Sequence, residues 1–356
     1  MTEELLFKLI RCELWGKPLE ESVPNDVLVK VMELAHRQTV SGIVLNPLSE
    51  REGGDDWELV SKYISRSLKI RRKNTAVNHE LADFARCCQQ AGLNIIIVKG
   101  QTVAAMYPHP MLRMSGDIDF LIRDSYQDCK EKIEAIIGTH LPERLKEKET
   151  SFKRNGTLYE LHEQLLIFGS KRCNQYWQRL VDESWKEHHT VCVDGVPIRT
   201  LPPTLNAIYI FCHLFLHFIR EGVGLRQLCD MAIQLHAYRN EIDRQELAVI
   251  LEQLDLKKAY RAFGCVLVDK LGLPEESFPL CLEPSDKKWE DSIVKDIFKG
   301  GNFGKEHHKA QIGLKFKFET LRLVLRHCIR YYNLAPTELR LFVYKLLKIN
   351  VRLIFK

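Results

Sequence analysis

Two aspartates one residue apart, Asp117 and Asp119 in Gly-Asp-Ile-Asp-Phe-Leu-Ile, have the type and spacing to do chemistry. The run alternates at period two, which predicts a strand. Side chains at i and i+2 of a strand share a face, about 6–7 Å apart. The two carboxylates therefore lie together, while Ile118, Phe120 and Ile122 face a core. Like charges held together repel, and a bound divalent cation reverses that sign. An oxygen-only donor set suits Mg2+, which commonly takes one or two protein carboxylates plus substrate phosphates. Two such ions, about 3.5–4 Å apart, could activate an attacking oxygen and stabilise a leaving one, with Mn2+ able to substitute. Asp-x-Asp alone more often marks a solvated strand face or a loop; here the apolar flanks argue against a loop.

Upstream, in NIIIVKGQTVAAMYPHPMLRMSGDIDFLIRD (94–124), the β-branched run IIIV ends in Lys99-Gly100 and is followed by TVAAMY. That reads as strand, tight turn and helix start, where backbone N–H groups can receive phosphate oxygens and Lys99 adds a cation. Arg113, just before the aspartate strand, offers a planar fork for phosphate, a surface arginine being the alternative. His213 and His217 have the i, i+4 spacing of a zinc pair. HLFLH lacks the glutamate of His-Glu-x-x-His, however, and helix-packing histidines are the favoured reading.

These residues need elements to position them. Residues 1–90 carry helical periodicity in LLFKLIRCEL, VLVKVMELAHRQ and the long stretch from Trp57 to Gln90, with Gly92 as a stop. The period then shortens: KEKIEAII reads as a helix, TLYELHEQLLI as a strand, and HTVCVDGVPIRTL as a hairpin turning at Asp194-Gly195. Beyond Pro203 the chain is helical again, interrupted by the Gly-rich GGNFGKEHH, read as a flexible connector. The expected organisation is a helical region 1–90, a mixed core 91–200, and a helical region 201–356 with a basic tail. From Lys305 to Lys356, twelve Lys or Arg stand against three Glu, so the net charge of +5 belongs to the tail. Amphipathic helices with solvated basic faces are the favoured reading, over a polyanionic partner. The odd number of cysteines, 11, lacks any Cys-x-x-Cys. With no signal-peptide pattern and no apolar run of membrane-spanning length, reduced thiols and a cytoplasmic location are expected.

Lys99-Gly100, Tyr107-Pro108, Arg113 and Gly-Asp-Ile-Asp with its apolar tail together resemble the bacterial nucleotidyltransferase-like family of the DNA polymerase β superfamily. The resemblance continues through TLYELHEQL and GVGLRQLCDMAIQL and covers about residues 30–240. It implies an α+β fold, a small mixed β-sheet flanked by N- and C-terminal helical regions. It also implies a third carboxylate at Glu160, completing a metal site with Asp117 and Asp119 and accepting the proton of an acceptor hydroxyl. Glu163 falls on the opposite face of a regular strand. His162 shares Glu160's face and could orient the carboxylate or touch phosphate, or be a structural histidine. Arg226, four residues before Asp230, could reach phosphate from the helix at the site's back wall or form a local ion pair. The usual turn is Gly-Ser or Gly-Gly; here Gly100-Gln101 lacks the hydroxyl, which Thr102 could supply.

The resemblance thus implies Mg2+-dependent transfer of a nucleoside monophosphate from an NTP, with Lys99, Gly100, Gln101 and Arg113 positioning the triphosphate. The acceptor stays open among small molecules, peptides and proteins. Nucleic acid is disfavoured, since no binding module is present and the basic excess is confined to the tail. The missing Gly-Ser turn supports a different class, a catalytically inactive nucleotide-binding or protein-interaction protein with the same fold. A helical scaffold with incidental aspartates is a third reading.

Overall fold

The computed structural model describes residues 2–19, 23–49, 57–144, 149–301 and 314–354. They form two compact units: residues 1–36, 40–165 and 182–206, and residues 37–39, 166–181 and 207–356.

The first unit opens with helices α1 (Thr2–Trp15), α2 (Asn25–Arg37), α3 (Ser41–Ser49) and the long α4 (Trp57–Gln90). Gly92, at φ +66°, ends the last of these and lets the chain enter a four-stranded sheet. Its strands are β1 (Ile95–Val98), β2 (Ile118–Ile122), β3 (Glu149–Arg154) and β4 (Thr157–His162), in the order β1-β2-β4-β3. β2 runs antiparallel to β1 and parallel to β4, and β4 antiparallel to β3. The sheet removes the purely helical reading, and the fold is α+β with a small mixed sheet. Helices α5 (Gly100–Ala104) and α6 (Tyr126–Ile137) follow β1 and β2. Ser125 caps α6 by accepting from the Asp128 N–H, and left-handed Gly138 closes it.

Cross-strand register explains what each face does. Ile97, Phe120, Leu161 and Tyr159 join Phe152 on one face, against Phe84 of α4. Phe152 stacks on Tyr159 at 5.3 Å and Phe84 meets Tyr159 at 4.6 Å. Such rings bury large apolar areas and fix the sheet on the helix. The rim is tied by Arg154, which donates to Glu80 and Asp83, each at 2.6 Å. Asn155-Gly156 (φ 48° and 80°) turns β3 into β4, and Asp194-Gly195 (φ 48° and 73°) turns β5 (Thr190–Val193) into β6 (Val196–Arg199). Both carry the paired positive φ of a tight hairpin.

The second unit contains α7 (Lys171–Ser184) and α8 (Pro203–Arg220) in part, then α9 (Leu225–Ala237), α10 (Arg244–Gln253), α11 (Lys257–Asp269), α12 (Glu290–Gly300), α13 (Leu314–Arg330) and α14 (Pro336–Ile354). Phe211, Phe215, Phe218 and Phe263 build its core. Its buried carboxylates are engaged: Asp296 accepts from Arg330 and Tyr331, and Glu338 from the Gly169 N–H. The basic residues of the tail lie outward where described, Arg322, Arg326, Arg340, Lys345 and Lys348 being exposed. Most of GGNFGKEHH lies outside the described residues. His213 and His217 pack ring to ring at 4.3 Å, with His217 Nδ1 3.1 Å from Glu221. All eleven cysteines are free thiols. No helix among the described residues is long and apolar enough to cross a membrane.

Candidate active site

The face of the sheet turned away from Phe84 carries the polar cluster. Across it run Val98, Asp119, Glu160 and Ser151 in one register row, and Ile96, Leu121, His162 and Glu149 in the next. Parallel pairing of β2 with β4 sets Asp119 directly opposite Glu160. Among the described residues, Asp119, Glu160 and His162 form the group whose ligand atoms all lie within 4.8 Å of one another.

Asp119 is almost fully buried, at 3% exposure. His162 Nε2 stands 3.0 Å from its Oδ1, and Lys99 Nζ 3.0 Å from its Oδ2. The far ring nitrogen of His162, Nδ1, faces Glu149 Oε2 at 3.6 Å. Burial, reinforced by the negative charges of Asp119, Asp117 and Glu149 and opposed by Lys99, pushes Glu160 up to about 7. A carboxyl poised there can take a proton at neutral pH.

Asp117 lies one residue before β2, half-buried and outside the three-residue group. Its carbonyl oxygen would meet a Cβ added at Gly100 at 3.4 Å, and its charge bears on Glu160. Lys99 and Gly100 both have positive φ, at 56° and 53°. Lys99, with ψ −151°, occupies a region otherwise nearly reserved for glycine. Gln101 is buried and donates to Asn78 Oδ1. The Thr102 hydroxyl is also buried and donates to the Lys99 carbonyl at 2.8 Å, so its proton is committed to the turn. Arg113 is buried rather than a surface arginine, at 3% exposure, and Asn74 of α4 donates to its carbonyl at 2.8 Å. Glu163 accepts from the Tyr126 N–H at the start of α6. Arg226 stands on the first turn of α9 in the second unit, its N–H directed at the Gln38 carbonyl at 3.4 Å.

Glu149 is the cluster member that periodicity alone does not reveal. The Asn155-Gly156 turn signals its strand, and counting back through the hairpin register sets it opposite His162.

The donors present fit a divalent cation, with two carboxylates and an imidazole converging on one small volume. A small mixed sheet that brings carboxylates of neighbouring strands together, backed by helices, defines a nucleotidyltransferase-like core. The chain belongs to a family described as uncharacterised nucleotidyltransferase, whose model matches residues 28–271. Comparison with curated proteins and with solved structures gives no match.

Proposed function

We propose that this chain moves a nucleoside monophosphate from an NTP to an acceptor hydroxyl or phosphate. The acceptor oxygen bonds to the α-phosphorus, the α–β bridging P–O bond breaks, and pyrophosphate leaves. Asp119, Glu160 and His162, with Asp117 one residue before β2, would hold the divalent ion, Mg2+ or Mn2+. When bound, it supplies neutralisation of the developing phosphate charge. Glu160 accepts the acceptor's proton, Lys99 offsets the charge of Asp119 from 3.0 Å, and His162 stands against its other oxygen. Lys99, Gly100, Gln101 and Arg113 are assigned to the triphosphate, so positioning and electrostatics contribute most of the rate. Arg226 remains a sequence-based assignment. The observation that carries the reading is the side-by-side pairing of Asp119 with Glu160, with His162 in reach of both.

The test needs no acceptor. Thermal stability is measured with each NTP, with Mg2+ or Mn2+ and with EDTA, for the wild type, Asp117→Asn and Asp119→Asn. A ligand at a hundred times its Kd stabilises by about 2.7 kcal/mol. A metal-dependent shift lost in both variants is expected. The commitment of the Gln101 amide to Asn78 of α4 and of the Thr102 hydroxyl to the turn favours one second reading, a nucleotide-binding or interaction protein without turnover. Absence of any shift, or a shift independent of metal, would select it.

A further inference from the structure

The group around Asp119 is not made of carboxylates alone, and its nitrogen is placed as a ligand would be. We infer that His162 binds the divalent ion through Nε2 and makes the site prefer a manganese-type transition ion over magnesium. This rests on the nucleotidyltransferase reading and specifies its metal.

Three observations converge. First, Nε2 and Asp119 Oδ1 are 3.0 Å apart, and donors about 2.1 Å from one octahedral ion stand about 3 Å apart when adjacent. Glu160 completes the set, since all three ligand atoms lie within 4.8 Å. Second, Nδ1 lies 3.6 Å from Glu149 Oε2, an ion-pair separation just beyond hydrogen-bond distance, the two residues being directly opposite in the β3–β4 register. A metal-bound histidine commonly directs its other N–H to a carboxylate, which fixes the tautomer and leaves Nε2 its lone pair. Third, His162 is 7% exposed, so water is a poor partner for either nitrogen, and a buried polar atom is normally satisfied from within. Magnesium prefers oxygen donors and retains its waters. An imidazole nitrogen is a softer donor than oxygen, which a transition ion accepts more readily than magnesium does. The competing arrangement is a His162 whose Nε2–H donates to Asp119 Oδ1 and so has no lone pair to offer there.

Pulsed electron paramagnetic resonance of Mn2+ bound to the full chain separates the two. Expected is nitrogen-14 modulation from a coordinated imidazole in the wild type, absent from His162→Gln and from Asp119→Asn. The Asp119 variant excludes a histidine elsewhere as its source. Calorimetric titration should show Mn2+ binding tighter than Mg2+, with the ratio of the two affinities falling in His162→Gln. Glu149→Gln should retain the nitrogen signal and weaken Mn2+ about tenfold or more, as loss of a supporting carboxylate does. Mn2+ bound without nitrogen modulation in the wild type would overturn the assignment of His162 and leave a carboxylate-only metal site, and with it the transfer reading, standing. Failure of the wild type to bind either ion, with or without NTP, would overturn both.

Discussion

Glu160→Gln should make the protein more stable at neutral and alkaline pH when divalent ions are chelated. Glu160 shares its place with Asp119, Asp117 and Glu149, and its carboxyl rises from 4.5 to about 7. Below both values the group is protonated in folded and unfolded chains alike and contributes no difference. Between them the folded state holds a proton that the unfolded state has released. Stability therefore falls as pH rises through that interval, and the full penalty is present above about 7. At about 1.36 kcal/mol per unit of displacement, the interval corresponds to roughly 3 kcal/mol. Partial exposure reduces that to on the order of 2 kcal/mol. Glutamine keeps the shape and removes the charge. Urea denaturation in EDTA at several pH values, scored by hydrogen exchange of the β2 and β4 peptides, isolates the first unit's transition. The variant's advantage should be about 2 kcal/mol at pH 8 and shrink to a fraction of that by pH 5, because other titrating groups cancel in the difference. Saturating Mn2+ should narrow the gap by stabilising the wild type selectively. A variant as stable as, or less stable than, the wild type at pH 8 would refute the argument that these carboxylates are held together against their repulsion.

Other perturbations test the frame that positions the cluster. Replacing Arg154 by Leu leaves Glu80, whose side chain is 8% exposed, without its guanidinium. A loss of about 3 kcal/mol in urea denaturation is expected, more than the worth of a surface pair, because a buried charge is stranded. Gly42→Ala places a Cβ onto the Leu112 carbonyl oxygen. This should cost about 1–3 kcal/mol and lower nucleotide affinity together with stability, since Leu112 lies on the segment leading into β2. Phe84→Ala opens a void beneath Phe120 and Tyr159. A loss of about 3–5 kcal/mol in the first unit is expected, read by its denaturation midpoint.

The elements that could be read from sequence are those whose signals are local. The helices before Gly92, the strand of Asp119 and the hairpin at Asp194-Gly195 each carry their period or turn chemistry within a dozen residues. β3 does not. In ETSFKR only Thr150 and Phe152 face inward, and the charged outward residues of an edge strand erase the apolar alternation that announces a strand. Its one local mark is the Asn155-Gly156 turn. With β3 unseen, Glu149 is invisible too, although it stands against His162. Periodicity put Glu160 and His162 on one face, and in β4 both join Asp119; Asp117, which it also paired with Asp119, precedes β2 and lies outside that group. Periodicity could not show that β2 pairs parallel with β4, which selects Asp119 rather than Asp117 as Glu160's neighbour.

Lys99 marks the limit of local reasoning most sharply. As a residue type it reads as a cation free to meet a phosphate. In the fold its ammonium lies 3.0 Å from Asp119, and its backbone, at φ 56° and ψ −151°, costs of order 1–3 kcal/mol for a non-glycine residue. Such a conformation persists only where the surroundings over-determine it. Here Thr102 grips the Lys99 carbonyl, Gly100 continues the positive φ, and the aspartate holds the side chain. The four carboxyls Asp117, Asp119, Glu149 and Glu160 raise the energy of the cluster, and one strained lysine lowers it. A divalent ion entering the same volume would supply the neutralisation that Lys99 supplies to Asp119, freeing an ammonium at the turn where the triphosphate is proposed to bind. The strain at Lys99 is thus understandable as the cost of keeping one cation within reach of both charges.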